Sequence, residues 1–373
     1  MTFSDVTRFG QANRAGNTAA NFARVVREEI IMEYENACLL KDKHTVVDGK
    51  GASYAARIGG QSQATIDTRL LGPTDATTTR QGTEFMQFST SPRGNVQIFC
   101  DLTYYDNKML YNFDLDQSPE SQEELANAIA ISGSSVARLW DSVVMLAALK
   151  GAATDTGPAL TPGGSTVSIK ATDANAITSG ALETSLPRLL AMFNEKNIPD
   201  MQGDDRMLAF NPTIHAVLAS SDKWANSFLG GSGSLSEGQV PRILGFRVMS
   251  TNQIVAKAIT GDTKFSDAFD KQYGGNYNPA PNPKDLQDPT FSQFGQYANM
   301  SNDYTGDNSK VVGVAWHPKA VMTVFWSRAK SWTTLGSQDI NNYIDAVALG
   351  TNQRSGTQPV YPGACGRIVF DPT

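Results

Sequence analysis

Histidine and cysteine are the side chains that most often bind metal ions or act as nucleophiles, so they are the first candidates for chemistry. The chain holds three of each, at His44, His215, His317, Cys38, Cys100 and Cys365. The histidines are isolated, without the His-Glu-x-x-His or His-x-x-x-His spacing that places two imidazoles on one helix face. The cysteines are odd in number and widely separated, which argues against a disulfide framework and a zinc site. We therefore predict structural roles for these side chains, and neither a metal site nor a cofactor.

Other catalytic motifs are missing or incomplete. Neither a Gly-x-x-x-x-Gly-Lys-Ser/Thr phosphate loop nor a Gly-x-Ser-x-Gly nucleophile elbow occurs in the sequence. Asp114 and Asp116 lie near Asp106, but the glycine and the final glutamate of a calcium loop are lacking. We expect these carboxylates to place negative charge at the start of the next helix, and Asp303 and Asp307 to hold a turn. The sequence thus predicts no catalytic residue and no enzyme.

Arginines recur through a polar stretch between residues 59 and 94, which has few apolar residues. The charged and aromatic positions of interest here are Arg57, Arg69, Arg80, Arg93, Phe85 and Phe88. One reading is a solvated loop kept soluble by scattered charge. The other is that the guanidinium groups pair with carboxylates on a neighbouring copy of the chain. A loop of about 35 residues cannot bury much of itself, and such loops are usually functional or disordered.

The composition is that of a soluble globular chain with few charges. Its 373 residues predict two or three structural units, with 40% hydrophobic and 18% charged residues. A net charge of -6 without a basic stripe disfavours strong, direct binding of nucleic acid. The longest apolar run, Val143–Leu149, is too short to span a bilayer, and the amino terminus shows no secretory signal. We expect no membrane association, folding in a cytoplasm, and a surface suited to contact with copies of the same chain.

The elements expected to position the polar loop begin with a helix. Residues 1–16 read as an arm without intrinsic structure, and apolar spacing predicts a helix over 17–40. The Asp48-Gly49 pair predicts a tight turn, followed by a strand through Arg57. Alternation over 96–103 predicts a second strand that pairs with the first, so that the loop forms the tip of a β-hairpin.

The strongest helix signal lies at residues 119–150. Ser118 is a good N-cap, Pro119 fits the first helical position, and the glutamates that follow match the positive end of the helix dipole. Apolar residues recur at three- and four-residue steps up to Lys150-Gly151, which supplies a closing charge and glycine. Gly133 admits a neighbouring backbone or permits a bend. We predict one long rod, and we expect the five tryptophans to lie in the core.

Beyond residue 160 the sequence mixes helices and strands, so the predicted fold class is α+β. Helices are predicted at 182–196, from Asn211-Pro212 onwards and near 340–348. Strands are predicted at 207–210, 243–249, 311–315, 321–326 and 367–370. Residues 256–309 lack periodicity and are predicted to form an irregular insertion.

Several short segments, each weak alone, occur in a fixed order along the chain. They are Gly49-Lys50-Gly51-Ala52-Ser53 with Arg57-Ile58-Gly59-Gly60, Asp101-Leu102, Leu115-Asp116-Gln117, Ile243–Val248 with Thr251-Asn252, Tyr273-Gly274-Gly275, Asn302-Asp303-Tyr304, and Gly313–Val324 with His317 and Ala320-Val321. In type and order they resemble segments of the major capsid proteins of tailed bacteriophages, which have the Hong Kong 97-type fold. The resemblance is greatest to short-tailed, T-seven-like phages, including those of cyanobacteria, and it extends over nearly the whole chain.

The resemblance implies a self-assembling shell subunit with four parts. These are an N-terminal arm and helix (1–44), an extended loop (45–103), a peripheral domain (104–160 and 321–339) with spine helix 119–150, and an axial domain (161–320 and 340–373) with the insertion 256–309. The extended loop is expected to lie over the neighbouring subunit, with inter-subunit contacts from Arg57, Arg69, Arg80, Arg93, Phe85 and Phe88. Lys50 is the only lysine between residues 44 and 107 and lies at the base of the loop, so no covalent lysine cross-link is expected.

The implied function is assembly as hexamers and pentamers of an icosahedral phage head. The implied partners are a scaffolding protein, a portal protein and packaged double-stranded DNA held by weak contacts, and the implied location is the virion, after assembly in the host cytoplasm. Two alternatives stay open. An encapsulin-like compartment shell has the same fold but encloses an enzyme cargo, and a soluble hydrolase would use Asp114 or His215.

Overall fold

Two mixed sheets and one long helix organise the protein. The computed structural model describes residues 18–49, 51–59, 93–111, 121–158, 161–171, 177–196, 205–221, 242–255, 258–259, 302, 304–335 and 346–372. Predictions for the arm 1–16, for residues 112–120 and for most of the insertion 256–309 lie outside the described residues.

The described elements include both helices and antiparallel and mixed sheets, so the predicted α+β class is confirmed. The helices are α1 (Thr18–Ala37), α2 (Ser121–Ala153), α3 (Ser179–Glu195) and α4 (Pro212–Ala219), with a 3₁₀ turn at Pro362–Ala364. The strands are β1 (Thr45–Asp48), β2 (Ser53–Gly59), β3 (Arg93–Phe99), β4 (Leu102–Tyr111), β5 (Ser165–Ala171), β6 (Arg206–Phe210), β7 (Arg242–Ile243), β8 (Phe246–Ser250), β9 (Ala258–Ile259), β10 (Gly306–Asp307), β11 (Val311–Trp316), β12 (Val321–Leu335), β13 (Ala346–Pro359) and β14 (Cys365–Pro372).

Helix α2 is the predicted rod and forms the centre of the core. Glu123 and Glu124 lie in its first turn and Lys150 in its last, which matches the helix dipole at both ends. Every residue of the apolar run 143–149 is buried. The segment Glu123–Ala153 is long and apolar enough to cross a membrane, but 67% of its apolar window is buried inside the protein, as in a core helix.

Helix α1 crosses α2 at Gly133. A Cβ atom at this glycine would lie 2.6 Å from the carbonyl oxygen of Ile30 and 2.9 Å from the backbone nitrogen of Tyr34. Val26 and Ile30 pack there against Ile129. Of the two roles predicted for Gly133, the structure therefore shows the close approach of a neighbouring backbone.

The four-stranded sheet has the order β1-β12-β13-β4, with β1 parallel to β12 and the other pairs antiparallel. Strand β1 ends at Asp48, and the strand predicted to follow through Arg57 is β2. The two strands do not pair with each other, because β1 pairs with β12 and β2 pairs with β3. Gly49 instead extends the sheet contact, since its N–H donates to the carbonyl of Phe325 at 2.9 Å. The predicted pairing of the two strands that flank the polar loop is confirmed.

Strand β13 belongs to the four-stranded sheet, where it pairs along its length with β12 and β4. The helix predicted near 340–348 was wrong for residues 346–348, which form the start of this strand. Residues 340–345 lie outside the described residues. The buried positions of β13 include Thr351, Gln353 and Ser355. Because these side chains are polar, the alternation of the strand is invisible to a search for hydrophobic periodicity.

The six-stranded sheet has the order β5-β14-β11-β6-β8-β7. Helices α3 and α4 begin at the side-chain caps Thr178 and Asn211, and their apolar faces cover this sheet in a second core. The strand predicted over 243–249 is interrupted by a turn, because Leu244 and Gly245 have φ angles of 49° and 82°. Positive φ at both positions is the geometry of a tight hairpin, which joins β7 to β8.

Candidate subunit interface

The hairpin formed by β2 and β3 carries the described part of the predicted contact set. Arg57 pairs with Asn95 and Gly59 with Arg93, so both arginines belong to the outer end of one two-stranded ribbon. The side chain of Arg57 is exposed. The remaining predicted contact residues lie outside the described residues: Arg69, Arg80, Phe85 and Phe88.

The inner face of the hairpin packs on the four-stranded sheet. Ala56, Ile58 and Ile98 are buried there against Val324 of β12 and Val360. The positions that alternate with them on β2 and β3 are mostly exposed. The ribbon is therefore anchored through one face at its base, and its outer face is open among the residues that the structure describes.

A buried asparagine clamps the exit of the hairpin. The side-chain oxygen of Asn302 accepts a hydrogen bond from the backbone N–H of Phe99 at 3.1 Å, and its Nδ2 donates to the Phe99 carbonyl at 2.6 Å. Nδ2 also donates to the carboxylate of Asp101 at 2.9 Å, and the Tyr304 hydroxyl donates to the same carboxylate oxygen at 3.4 Å. Burial raises the pKa of Asp101, while these donors act in the opposite direction. The end of the insertion thus holds the last residue of β3 in place.

A second contact holds the same turn from β13. The guanidinium of Arg354 donates through Nε to the carbonyl of Cys100 at 3.1 Å and stacks over the Trp326 ring, 4.2 Å from its centroid. A Cβ atom at Gly356 would overlap the carbonyl oxygen of Phe99, so only glycine admits the hairpin here. The backbone between β3 and β4 is consequently fixed by side chains distant in sequence.

A buried carboxylate fixes the turn that follows α1. Asp141 of α2 is 1% exposed and accepts hydrogen bonds from the backbone N–H groups of Leu39 at 2.8 Å and Leu40 at 3.1 Å. Burial raises the pKa of Asp141 to about 7, although the two backbone donors and the charge of Lys43 lower it. The N-terminal helix is therefore tied to α2 at both its centre and its end.

The histidines have geometries that fit structural roles. The two ring nitrogens of His44 bond to the carbonyl of Leu40 at 2.7 Å and to Oγ1 of Thr323 at 2.9 Å, and burial lowers its pKa to about 4. Burial also lowers the pKa values of His215 and His317. Within the described residues no group of three or more His, Cys, Asp or Glu side chains is placed to hold a metal ion.

The remaining chemical candidates are similarly engaged in structure. All three cysteines are free thiols, and burial raises the pKa of both Cys38 and Cys365 to about 12, which keeps them protonated and unreactive at neutral pH. Asp307 accepts bonds from the backbone N–H of Ser309 at 3.0 Å and from its hydroxyl at 2.7 Å, which is the turn predicted for this residue. These side chains support structure, and their geometry offers no nucleophile paired with a base.

Sequence reasoning missed residues that fix the base of the hairpin or lie on the sheet beside it. Asn302 stood out only as part of an Asn-Asp-Tyr segment typical of the resembled proteins, and its clamp role depends on a contact with Phe99, about 200 residues away. Trp326 was expected in the core with the other tryptophans, but it is 46% exposed, whereas Trp140 and Trp316 are buried. Successive residues of a strand point to opposite faces of the sheet, so the neighbouring Phe325 and Trp326 could not both face the core. A bulge after Phe325 also shifts the register of β12 against β13.

Comparison with known proteins identifies the fold. No family model matches the chain, and no curated protein matches it in sequence. Among solved structures, the capsid of Cyanophage P-SCSP1u superposes with a TM-score of 0.64 at 18% identity, over 90% of this chain and 89% of that chain. The mature capsid of bacteriophage PhiM1 superposes with a TM-score of 0.60 at 15% identity, over 89% and 86% of the two chains. The chain has the Hong Kong 97-type capsid fold. The fold expected from the sequence resemblance is thereby confirmed.

Proposed function

We propose that this protein is the major capsid protein of a tailed bacteriophage. The observation that carries the proposal is the match of its Hong Kong 97-type fold to a phage capsid over about nine-tenths of both chains. Proteins that share a fold can differ in function, so the geometry of the described residues has to support the same conclusion. It does so at the hairpin β2–β3.

The hairpin has the form expected of an element that binds a neighbour. Its base is held by Asn302, Arg354 and the inner-face contacts of Ile58 and Ile98, while its outer face carries exposed positions such as Arg57. An element fixed at its base and open on its outer face loses little conformational freedom when a partner binds it. We assign to it the contacts with a neighbouring subunit, made by Arg57 and Arg93 and by four residues of the segment beyond them: Arg69, Arg80, Phe85 and Phe88.

The domain division of the proposed subunit follows the two sheets. Helix α2 is the spine helix and, with the four-stranded sheet, forms the peripheral domain, which includes β13. The six-stranded sheet with α3 and α4 forms the axial domain, with residues 256–309 as its insertion. A separate apolar cluster that joins α3 and α4 to the six-stranded sheet supports this division, while the larger cluster around α2 contacts both sheets.

The proposed assembly is an icosahedral head of hexamers and pentamers. A short-tailed phage is the proposed type, with a scaffolding protein and a portal protein as partners during assembly in the host cytoplasm, and with the virion as the final location. The net charge of -6 is compatible with an inner wall that contacts packaged double-stranded DNA weakly. Closed symmetric shells gain their stability from many repeated contacts, each of which can be weak.

Electron microscopy of the purified protein tests this proposal. Closed shells, and DNA-filled heads with a portal vertex when the protein is isolated from virions, are the expected result. Shells that enclose an enzyme cargo without a portal would instead indicate a compartment protein. A small species with hydrolytic turnover at concentrations that promote assembly would contradict a shell function altogether.

Deletion of residues 62–92 tests the role assigned to the hairpin. We expect the truncated chain to fold with a thermal unfolding midpoint close to that of the unassembled full-length chain, because the anchor contacts of Ile58, Ile98 and Phe99 stay intact. We also expect it to form no shells, since the removed segment supplies contacts between subunits. Shells of normal size from the truncated chain would refute the assignment.

A further inference from the structure

Arg206 is a buried cation at the start of β6, in the six-stranded sheet. Its side chain is 4% exposed, and its guanidinium lies over the Phe193 ring, 5.5 Å from the ring centroid. Among the described residues, its buried Nε atom has no hydrogen-bond partner. Within the same part of the chain Arg206 forms no salt bridge, and the adjacent Asp205 pairs instead with Arg247 at 3.3 Å. Arg206 therefore carries a positive charge that no described carboxylate matches.

The charge of Arg206 cannot be removed by loss of a proton. Arginine stays protonated at physiological pH, so burial lowers the pKa of Arg206 without neutralising the group. Removing an ionised group from water without a partner destabilises the folded chain, and buried charges in proteins are usually paired. The cation–π contact with Phe193 compensates for only part of this cost. The unmatched guanidinium thus indicates that an anion binds beside it.

His317 lies next to Arg206 through the pairing of β11 with β6. Trp316 is opposite Met207 in this antiparallel register, so the following residue, His317, comes opposite Arg206. His317 is 7% exposed, and its Nδ1 accepts a hydrogen bond from the backbone N–H of Lys319 at 3.2 Å. Because Nδ1 is an acceptor, the proton of the neutral ring is on Nε2. Nε2 is therefore available as a donor.

Lys319 adds a second cation to this cluster. Its side chain is exposed on the turn between β11 and β12. Burial lowers the pKa of His317, and the charges of Lys319 and Arg206 lower it further, while Asp205 acts in the opposite direction. Both cations therefore lie within electrostatic range of the imidazole. The ring is neutral at pH 7 and keeps its Nε2 donor.

The donors of this cluster match a phosphate group better than a carboxylate. The planar guanidinium of arginine binds two oxygens of a phosphate at once, and a lysine ammonium contributes a further donor and charge. A carboxylate presents two oxygens, whereas a phosphate group presents at least three acceptor oxygens, enough for three basic side chains.

We propose that Arg206, His317 and Lys319 form a binding site for one phosphate group. The Arg206 guanidinium binds the phosphate oxygens, Nε2 of His317 donates to another oxygen, and the Lys319 ammonium contributes charge from the solvent side. The site is separate from the hairpin to which the subunit contacts are assigned, and it does not depend on the proposed shell function. Free phosphate and the backbone of a nucleic acid offer the same chemistry, and competition between them identifies the source.

Equilibrium dialysis of the full-length chain against radiolabelled inorganic phosphate tests the site. We expect saturable binding that approaches one phosphate per chain. Arg206→Met keeps a long side chain on Phe193 but removes the charge, and it should weaken phosphate binding by about tenfold. Arg188→Met removes an exposed arginine of α3 and is the control. Lys319→Gln changes an exposed side chain without disturbing the core and should also weaken binding. Absence of saturable binding, or equal binding by Lys319→Gln and the control, would overturn the proposal.

Nitrogen-15 NMR of the three histidines locates the bound phosphate. A bound anion stabilises the imidazolium form, so saturating phosphate should raise the pKa of His317. His215 lies on α4 and is the internal control, whose pKa should not change. Equal shifts at the two histidines, or no shift at His317, would contradict the proposed position even if the chain binds phosphate elsewhere.

Competition for the labelled phosphate separates the possible sources. A short DNA duplex without terminal phosphates displaces the label if backbone phosphates enter the site, and leaves it bound if the site takes only free phosphate or small phosphate esters. Either result agrees with a phosphate site. Sodium acetate at equal ionic strength should displace little of the label. Displacement by acetate as strong as that by unlabelled phosphate would show a site for carboxylates and overturn the proposal.

Discussion

Replacement of Asn302 by alanine removes the clamp between the insertion and the hairpin. The three shorter hydrogen bonds of the side chain are one accepted from the Phe99 N–H at 3.1 Å and two donated, to the Phe99 carbonyl at 2.6 Å and to the Asp101 carboxylate at 2.9 Å, and a longer one is donated to the Tyr304 hydroxyl at 3.3 Å. A net loss of about 1 kcal/mol per bond, with more for the bond to the charged group, predicts a destabilisation of about 3 to 4 kcal/mol. We expect the destabilisation to be greatest at the end of β3, because Asn302 bonds to the backbone of Phe99 there.

Amide hydrogen exchange measures this effect where it occurs. Where backbone amides exchange through local opening, lowering the free energy of that opening by about 3 kcal/mol accelerates hydrogen exchange on the order of 100-fold. We expect that acceleration at Phe99 and Cys100 in Asn302→Ala, and little change in the buried middle of α2. Asn95→Ala is the control, because Asn95 is exposed on the outer face of β3. Equal exchange rates at Phe99 in the two variants would show that the clamp does not hold the hairpin.

Three further variants test the core contacts of α2. Val136→Asp places a charge at a position of α2 that is 1% exposed and should abolish cooperative folding. A soluble variant with a cooperative circular dichroism melt would show that the Val136 face of α2 is not buried. Gly133→Ala should lower the free energy of unfolding by about 1 to 3 kcal/mol in denaturant titrations, because a Cβ there would lie 2.6 Å from the Ile30 carbonyl oxygen. Gly180→Ala, with nothing within 4 Å, is its control and should be neutral or stabilising. For Asp141, whose pKa of about 7 lies above the unfolded value, protonation favours the folded state. The stability of the wild type relative to Asp141→Asn should therefore be greatest below about pH 4, fall as the pH rises to about 7 and level off above it, and a flat difference would contradict the raised pKa.

The sequence predicted the elements whose signals are local. Helix α2 was evident from its acidic first turn, its apolar spacing and Lys150, and the pairing of β2 with β3 followed from alternation on both sides of a polar loop. The helix start at Asn211-Pro212 was equally clear, because a side-chain cap and a proline act within one turn. Each of these signals lies within a short segment of the chain, so a single sequence contains it.

The features that the sequence did not reveal depend on contacts between distant segments. β13 was missed because its inward positions include Thr351 and Gln353, which are buried against polar partners on α2 and α1. The partner of β1 was not foreseen either, because β12, more than 270 residues later, pairs with it in parallel. The Asn302 clamp likewise joins residues about 200 positions apart. Local propensity is overridden in each case by a tertiary partner that only the folded chain supplies.

The base of the hairpin shows why the chain fixes backbone there with polar side chains. Apolar burial by Ile58 and Ile98 attaches the ribbon to the sheet but does not specify its direction, because such contacts are not directional. Asn302 and Arg354 bond to the backbone of Phe99 and Cys100, and hydrogen bonds require defined angles as well as distances. Under the proposed function, a hairpin with a fixed direction loses less conformational freedom when it contacts a neighbouring subunit. Weakening the Asn302 clamp should therefore impair shell formation more than it lowers the stability of the isolated subunit.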